Sequence, residues 1–146
     1  RLLIVEDDAE DRLLLCDQLN KIENQNYVID EATDYAEAKT LLLENDYDIC
    51  FVDYRLDSGK SALDLINALP PESPNKSFVV ISGQIDDQLL GLADRLGIYD
   101  VLDKAHMSPQ MLERIIRYIM RQIGTLTHLS NEDFIIAEDD ILLGDS

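Results

Sequence analysis

Five polar side chains come at or just after the ends of short apolar runs, and their types suit metal and phosphoryl chemistry. Glu6 and Asp7 follow the first run, Asp53 ends the third, Ser82 ends the fourth, and Lys104 closely follows the fifth. Carboxylates packed together repel, so either one is protonated or a cation lies among them. An open all-oxygen cluster suits Mg²⁺ better than Ca²⁺. A carboxylate beside Mg²⁺ and a lysine is a reasonable phosphoryl acceptor.

The apolar runs that carry these residues alternate with helical patterns along the chain. Continuous apolar residues predict strands at 2–5, 27–29, 49–52 and 78–81, and a short strand is predicted at 99–102. The first helix is expected to place Leu13, Leu14, Cys16, Leu19 and Ile22 on or near one face, with Asp8 at its start. Later helices are predicted from the Asp34–Glu37 capping pair, over 62–69, over 86–96 and from Ser108-Pro109 onward.

Five strand–helix units in strict alternation predict an α/β fold with helices on both faces of a parallel sheet. Five strands favour the flavodoxin-like order 2-1-3-4-5, in which strands 1 and 3 are neighbours. Ligands bind such sheets beyond the carboxyl ends of the strands. Taken singly, the five polar residues also fit a helix start, a turn or a solvated charge. Their predicted convergence at one sheet edge favours a functional site.

Composition narrows the classes of partner. The chain of 146 residues suits one domain with a short tail, and 12 basic against 30 acidic residues give a net charge of −18. That charge argues against binding nucleic acid or an anionic membrane. No apolar run is long enough to span a bilayer. Cys16 and Cys50 lie in apolar stretches, which predicts reduced thiols and a cytoplasmic location.

Four segments together resemble the receiver domain of bacterial two-component response regulators. They are Leu-Ile-Val-Glu-Asp-Asp at 3–8, Asp-Ile-Cys-Phe-Val-Asp-Tyr-Arg-Leu at 48–56, Val-Ile-Ser-Gly at 80–83 and Asp-Val-Leu-Asp-Lys at 100–104. The resemblance covers roughly residues 1–123, in the order and spacing of that family. It implies a signalling switch that catalyses only its own phosphorylation and dephosphorylation, rather than a turnover enzyme.

The resemblance also implies a phosphoacceptor and a metal. Asp53 is expected to receive a phosphoryl group from a sensor histidine kinase or a phosphotransfer protein. Mg²⁺ is the implied cofactor, bound by Asp53, directly by Asp7, mainly through water by Glu6, and by the main-chain carbonyl of Arg55.

Three further roles follow from the same resemblance. Ser82 matches the switch hydroxyl of the family, and Lys104 matches the lysine that contacts the phosphoryl group. Arg55 and Gln84, each two residues after a site residue, are expected to tune the lifetime of the acyl phosphate. A solvated surface cation is the ordinary alternative for Arg55.

The sequence departs from the family pattern in three places. Asp57 stands where proline is usual, so we expect a looser loop in which Lys60 folds toward the site. Ala105 follows Lys104 in place of a cis proline, and a trans bond is expected because a cis bond before alanine costs about 2.5–4 kcal/mol. Val101 replaces the switch aromatic, which puts the ring-rotation form of the switch in doubt.

Two other functions remain open at this stage. A pseudo-receiver, kept only as a protein–protein interaction module, would account for the three departures. A phosphatase with an aspartate nucleophile is less favoured, since such enzymes need a second Asp two residues after the first, where this chain has Arg55.

The C-terminal part of the chain has its own charge pattern. Residues 124–146 hold six acids and no lysine or arginine, which predicts an acidic linker or the start of a further segment.

Arg114, Arg117 and Arg121 recur at helical spacing in the preceding helix. Such a stripe is usually a solvated face, but the family resemblance leaves open a homodimer through strand 5 and this last helix.

Overall fold

The computed structural model describes residues 1–22, 27–70 and 77–136. The strands are β1 (Leu2–Val5), β2 (Ile29–Ala32), β3 (Ile49–Asp53), β4 (Ser77–Ser82) and β5 (Asp100–Asp103). The α-helices are α1 (Ala9–Asn20), α2 (Tyr35–Glu44), α3 (Ala62–Asn67), α4 (Asp87–Leu96) and α5 (Pro109–Ile136). Short 3₁₀ turns occupy Asp57–Gly59 and Lys104–His106.

All five strands form one parallel sheet in the order β2-β1-β3-β4-β5, which confirms the predicted fold. Every residue of β1 and β3 is buried, as expected for central strands that are covered on both faces. The register pairs Val5 with Val52 and Ser82 with Asp103. The carboxyl ends of β1, β3, β4 and β5 therefore meet at one edge.

A continuous apolar core supports that edge. Strand residues Leu3, Val5, Cys50, Val52 and Val80 cluster with Ala38, Leu42, Ala62 and Leu65 of helices α2 and α3. Each fully buried aliphatic side chain contributes roughly 1.5–3 kcal/mol relative to an exposed one. Because the strands are fixed by this packing, the polar residues at their ends have well-defined starting positions.

Side-chain caps determine where most helices begin. Main-chain N–H groups of the first turn donate to the side chains of Asp8, Asp34, Ser61, Asp86 and Ser108. Each such cap contributes typically about 1 kcal/mol. Helix α4 ends on Gly97, whose φ of 73° lies in the left-handed region that glycine adopts without strain. The predicted helix starts at Asp8, Asp34 and Ser108 are confirmed.

Two local predictions were wrong. The second strand covers Ile29–Ala32 rather than 27–29. Helix α1 buries Leu15 and Leu19, whereas Leu13 and Leu14 are 71% and 51% exposed. The run Leu-Leu-Leu-Cys at 13–16 is apolar on every side of the helix, so its pattern alone does not select the inward face.

The chain divides into two compact units, Arg1–Glu113 and Arg114–Ser146. The first contains the whole sheet and helices α1 to α4. In the second, α5 continues to Ile136, beyond the predicted domain end at residue 123, and residues 137–146 lie outside the described part. Arg114, Arg117 and Arg121 are exposed.

Among the described residues, no helix combines the length and apolar character needed to cross a membrane.

Candidate functional site

Three carboxylates meet where β1 and β3 end. Oxygen atoms of Glu6, Asp7 and Asp53 all lie within 4.8 Å of one another. Because Val5 pairs with Val52, the next residue on each strand is brought to the same place. Glu6 and Asp53 are only 5% and 8% exposed, whereas Asp7 is open to solvent. The neighbouring strand ends thus bring together the three acids proposed from the sequence.

Lys104 brings a positive charge to this acid cluster from the end of β5. Its Nζ lies 3.1 Å from Asp53 Oδ1 and 3.3 Å from Glu6 Oε1. A third carboxylate, that of Asp11 in α1, is nearer still, with Oδ2 at 3.0 Å. The ammonium therefore offsets part of the repulsion between the buried carboxylates of Glu6 and Asp53. A buried carboxylate without such a partner would be costly.

Asp11 is the site contact that the sequence reasoning missed. It lies in the first turn of α1, where acidic residues are commonly explained by the helix dipole. Asp11 and Lys104 are 93 residues apart in the chain. The only available signal was that Asp11 lies in the first turn of α1, close in the chain to the strand end that carries the acids.

Glu6 is held by Asp8 and Arg12, at the start of α1. The Asp8 N–H donates to Glu6 Oε2 at 3.1 Å, and Arg12 Nη1 donates to the Glu6 carbonyl at 2.8 Å. Arg12 Nε also lies 3.2 Å from Glu31 Oε1. This guanidinium thus ties the end of β1 to β2 and restricts where the buried Glu6 carboxylate can go.

Ser82 lies at the end of β4, but its hydroxyl is engaged within its own loop. Ser82 Oγ donates to the Gln84 carbonyl at 2.8 Å and accepts from the Gln84 N–H at 3.1 Å. Ser82 is 5% exposed. A Ser82 hydroxyl that donates to a phosphoryl oxygen must therefore give up the bond to Gln84.

A cavity of about 520 Å³ opens beside Asp53, at the end of β3. Its walls include Asp53, Arg55, Ser82, Gln84 and Lys104, together with residues of the first turns of α4. Both residues expected to tune the acyl phosphate, Arg55 and Gln84, therefore lie around the same opening as Asp53.

The loop after β3 differs from the sequence expectation. Asp57 Oδ1 accepts from the Tyr35 N–H at 2.7 Å and so ties the loop to the start of α2. Lys60 Nζ lies 5.3 Å from the centre of the Tyr35 ring. Lys60 was predicted to fold toward the site; it is instead held by this cation–π contact. Ser58 adopts a left-handed φ of 59° within the loop.

The other two departures from the receiver-domain pattern are Val101, which stands where a switch aromatic is usual, and Ala105, which stands where a cis proline is usual. No peptide bond among the described residues is cis, so Lys104–Ala105 is trans, as expected. Val101 is partly buried and packs against the apolar core. A valine has no ring to report on the site, so a switch built on aromatic rotation has no side chain at this position.

Burial and crowding change the titration of the acid cluster. Burial, followed by the nearby Asp53 charge, raises the pKa of Glu6 to about 7. Burial also raises the pKa of Asp53, against the lowering effect of Lys104. The pKa of Lys104 is raised by the hydrogen bond to Asp11 and by the charges of Asp53 and Glu6, which outweigh its own burial. The ammonium is thus fully charged near neutral pH, whereas Glu6 is partly protonated.

The donor set fits a hard divalent cation. Three carboxylates with one ammonium carry more negative charge than the buried site accommodates, as the raised pKa of Glu6 indicates. Exposed Asp7 leaves one side open to water, which suits Mg²⁺ because that ion usually keeps several waters. Glu6, Asp7 and Asp53 are therefore the residues that could hold the ion.

Mg²⁺ affinity is expected to rise with pH until Glu6 is ionised. A proton on Glu6 competes with the cation, so one pH unit below the Glu6 pKa the affinity should be about tenfold weaker. Without metal, the stability of the fold changes with pH in the opposite direction. Because folding raises the pKa of Glu6 from 4.5 to about 7, the free energy of unfolding should fall as pH rises through that interval. Calorimetric Mg²⁺ titrations across this range test the first effect. Glu6→Gln should flatten the profile, and an equally steep profile in that variant would contradict the assignment.

Comparisons with known proteins agree with this architecture. The profile of the response regulator receiver domain family matches residues 2–116. No curated protein matches the chain at a significant level. Among solved structures, the N-terminal domain of an uncharacterized protein from Wolinella succinogenes is 24% identical, with a TM-score of 0.72 over 87% of this chain and 98% of that one.

Two further solved structures are similar. A CheY-like receiver domain protein from Methanospirillum hungatei is 18% identical, with a TM-score of 0.71 over 86% of this chain and 97% of that one. The non-phosphorylated HemR receiver domain of Leptospira biflexa is 25% identical, with a TM-score of 0.69 over 82% and 93%. The family profile covers well over half of the chain, and the sheet order is that of the family's fold. The chain belongs to the response regulator receiver domain family.

Proposed function

We propose that this receiver domain is switched by phosphorylation of Asp53, with a sensor histidine kinase or a phosphotransfer protein as the donor. One observation carries the proposal: the Lys104 ammonium lies 3.1 Å from Asp53 Oδ1, beside the other two acids of the cluster and at the wall of an open cavity. A structural ion pair alone does not require three crowded carboxylates beside such an opening.

The transfer is a displacement at phosphorus. An Asp53 carboxylate oxygen forms the new bond to phosphorus, while the bond from phosphorus to the donor's imidazole nitrogen breaks and its electron pair returns to that nitrogen. Lys104 is close enough to bind a phosphoryl oxygen on Asp53 and to offset its charge. Hydrolysis later cleaves the acyl phosphate and regenerates the Asp53 carboxylate.

Glu6, Asp7, Asp53 and the Arg55 main-chain carbonyl are the proposed Mg²⁺ ligands. When bound, the ion neutralises charge on the phosphoryl oxygens. Arg12 and the Asp8 N–H hold Glu6 in position for this role.

Three residues on the cavity wall have proposed secondary roles. Ser82 exchanges its bond to the Gln84 carbonyl for one to a phosphoryl oxygen, which couples the site to the loop after β4. Gln84 and Arg55 flank the path of the hydrolytic water and set the lifetime of the acyl phosphate. A two-component pathway in the bacterial cytoplasm completes the proposal, and a homodimer through β5 and α5 remains a prediction.

The pseudo-receiver alternative is not favoured. A module kept only for contact needs neither the grouped Glu6, Asp7 and Asp53 nor the Lys104 ammonium among them. For a phosphatase, the position two residues after Asp53 would need an acid, and it is Arg55.

Incubation with acetyl phosphate tests the proposed function. With Mg²⁺ present, the intact mass of the protein should increase by one phosphoryl group, and hydroxylamine should remove the adduct, because it cleaves an acyl phosphate but not a serine phosphoester. With EDTA in place of Mg²⁺ the increase should disappear, because the crowded carboxylates then repel the anionic donor. An unchanged mass with Mg²⁺, together with no measurable Mg²⁺ binding, would support a pseudo-receiver instead.

A further inference from the structure

One carboxylate that contacts Lys104 has no role in the proposed function. Asp11 accepts a hydrogen bond from Lys104 Nζ at 3.0 Å, the shortest of the three carboxylate contacts of this ammonium. It is not one of the three acids grouped around the candidate metal position. Asp11 therefore acts on the lysine rather than on the cation.

The contact comes from a fixed point on α1. Asp8 caps the helix, and its Oδ1 accepts from the N–H groups of Glu10 and Asp11. The Asp11 backbone is thereby held in the first turn of α1. Its side chain is 44% exposed, whereas those of Glu6 and Asp53 are 6% and 9% exposed. Asp11 holds the outer side of the ammonium while the buried acids hold the inner side.

An ammonium has three N–H donors, and three carboxylates already surround that of Lys104. A phosphoryl group on Asp53 adds oxygens that compete for the same donors. The Asp11 contact keeps one donor directed toward α1, and its negative charge opposes a second anion nearby. Both effects weaken the hold of Lys104 on the phosphoryl group.

We propose that Asp11 is a positioning residue that shares the Lys104 ammonium with the phosphoryl group, and so limits the stability of the phosphorylated state. This inference rests on the proposed function of Asp53. It assigns to α1, through Asp11, a direct influence on the lifetime of the acyl phosphate.

The test compares Asp11→Asn with the matched control Glu10→Gln. Glu10 lies in the same turn and its replacement removes the same charge, but no ion pair of Glu10 occurs in the part of the chain that the structure describes. Beryllofluoride with saturating Mg²⁺ serves as the phosphoryl probe, and ¹⁹F NMR gives its Kd. Asp11→Asn should tighten binding about threefold and lengthen the acyl-phosphate lifetime similarly, a size appropriate to a partly exposed pair. Glu10→Gln should leave both unchanged.

Two further measurements separate positioning from a structural effect. Asp11→Glu should restore the wild-type Kd, because it returns a carboxylate to the same helical position. The difference between wild type and Asp11→Asn should shrink at high salt, since exposed charges are screened. Equal effects of Asp11→Asn and Glu10→Gln, or weaker probe binding in Asp11→Asn, would overturn the inference but leave the role of Asp53 intact. A wild-type protein that takes up neither acetyl phosphate nor beryllofluoride would overturn both.

Discussion

Replacing Asp53 with asparagine is expected to abolish phosphoryl uptake from acetyl phosphate. The amide nitrogen and oxygen of asparagine lack the negative charge that attacks phosphorus, so no acyl phosphate forms at this position. The fold should survive, because burial already disfavours the charged form of Asp53 and an amide of the same shape avoids that cost. Intact mass spectrometry with Mg²⁺ should show the adduct in the wild type and none in Asp53→Asn.

Asp46→Asn is the matched control for this substitution. Asp46 is exposed and comes just before β3 begins, at the opposite end of the strand from Asp53. The chemical change is identical, and uptake should equal that of the wild type. An adduct that persists in Asp53→Asn would mean that another residue accepts the phosphoryl group.

Replacing Lys104 with alanine is expected to slow phosphoryl uptake by about 10²–10³-fold, the usual cost of losing one preorganised group that stabilises a developing charge. The ammonium lies among Asp53, Glu6 and Asp11 at 3.0–3.3 Å, so its loss leaves the incoming phosphoryl group facing only carboxylates and the metal. Rates of adduct formation at saturating Mg²⁺ measure the effect.

Mg²⁺ affinity distinguishes this outcome from misfolding. Lys104 and the cation compete for Glu6 and Asp53, so Lys104→Ala should bind Mg²⁺ at least as tightly as the wild type. Lys60→Ala is the control, since Lys60 lies over the Tyr35 ring and should not affect the uptake rate. A wild-type uptake rate in Lys104→Ala would remove Lys104 from the mechanism.

The strand ends explain why much of the site was predictable from sequence. Buried parallel strands read as continuous apolar runs, and such strands place their carboxyl ends at one edge. The acids after the first and third runs therefore had to converge once the sheet order was inferred. The observed pairing of Val5 with Val52 brings them together in that way.

Side-chain direction was less predictable, and Ser82 illustrates the reason. Its place at the end of β4 follows from the apolar run before it. The choice of the Gln84 main chain as hydrogen-bond partner depends on the conformation of the loop that follows. The contact that ties down the loop at Asp57 was unpredictable for the same reason, because the donor, the Tyr35 N–H, lies at the start of α2.

By itself, the sequence determined the alternation of strands and helices, the order of the sheet and the edge where Glu6, Asp7, Asp53, Ser82 and Lys104 gather. The alternation depends on local apolar patterning in consecutive residues, whereas the sheet order and the common edge follow from the five strand–helix units and the usual order of such sheets. Only the tertiary structure decided that Asp11 binds Lys104 and that α1 turns Leu15 and Leu19 inward while Leu13 stays exposed. Such contacts join residues far apart in the chain, and their geometry depends on how each helix packs onto the sheet.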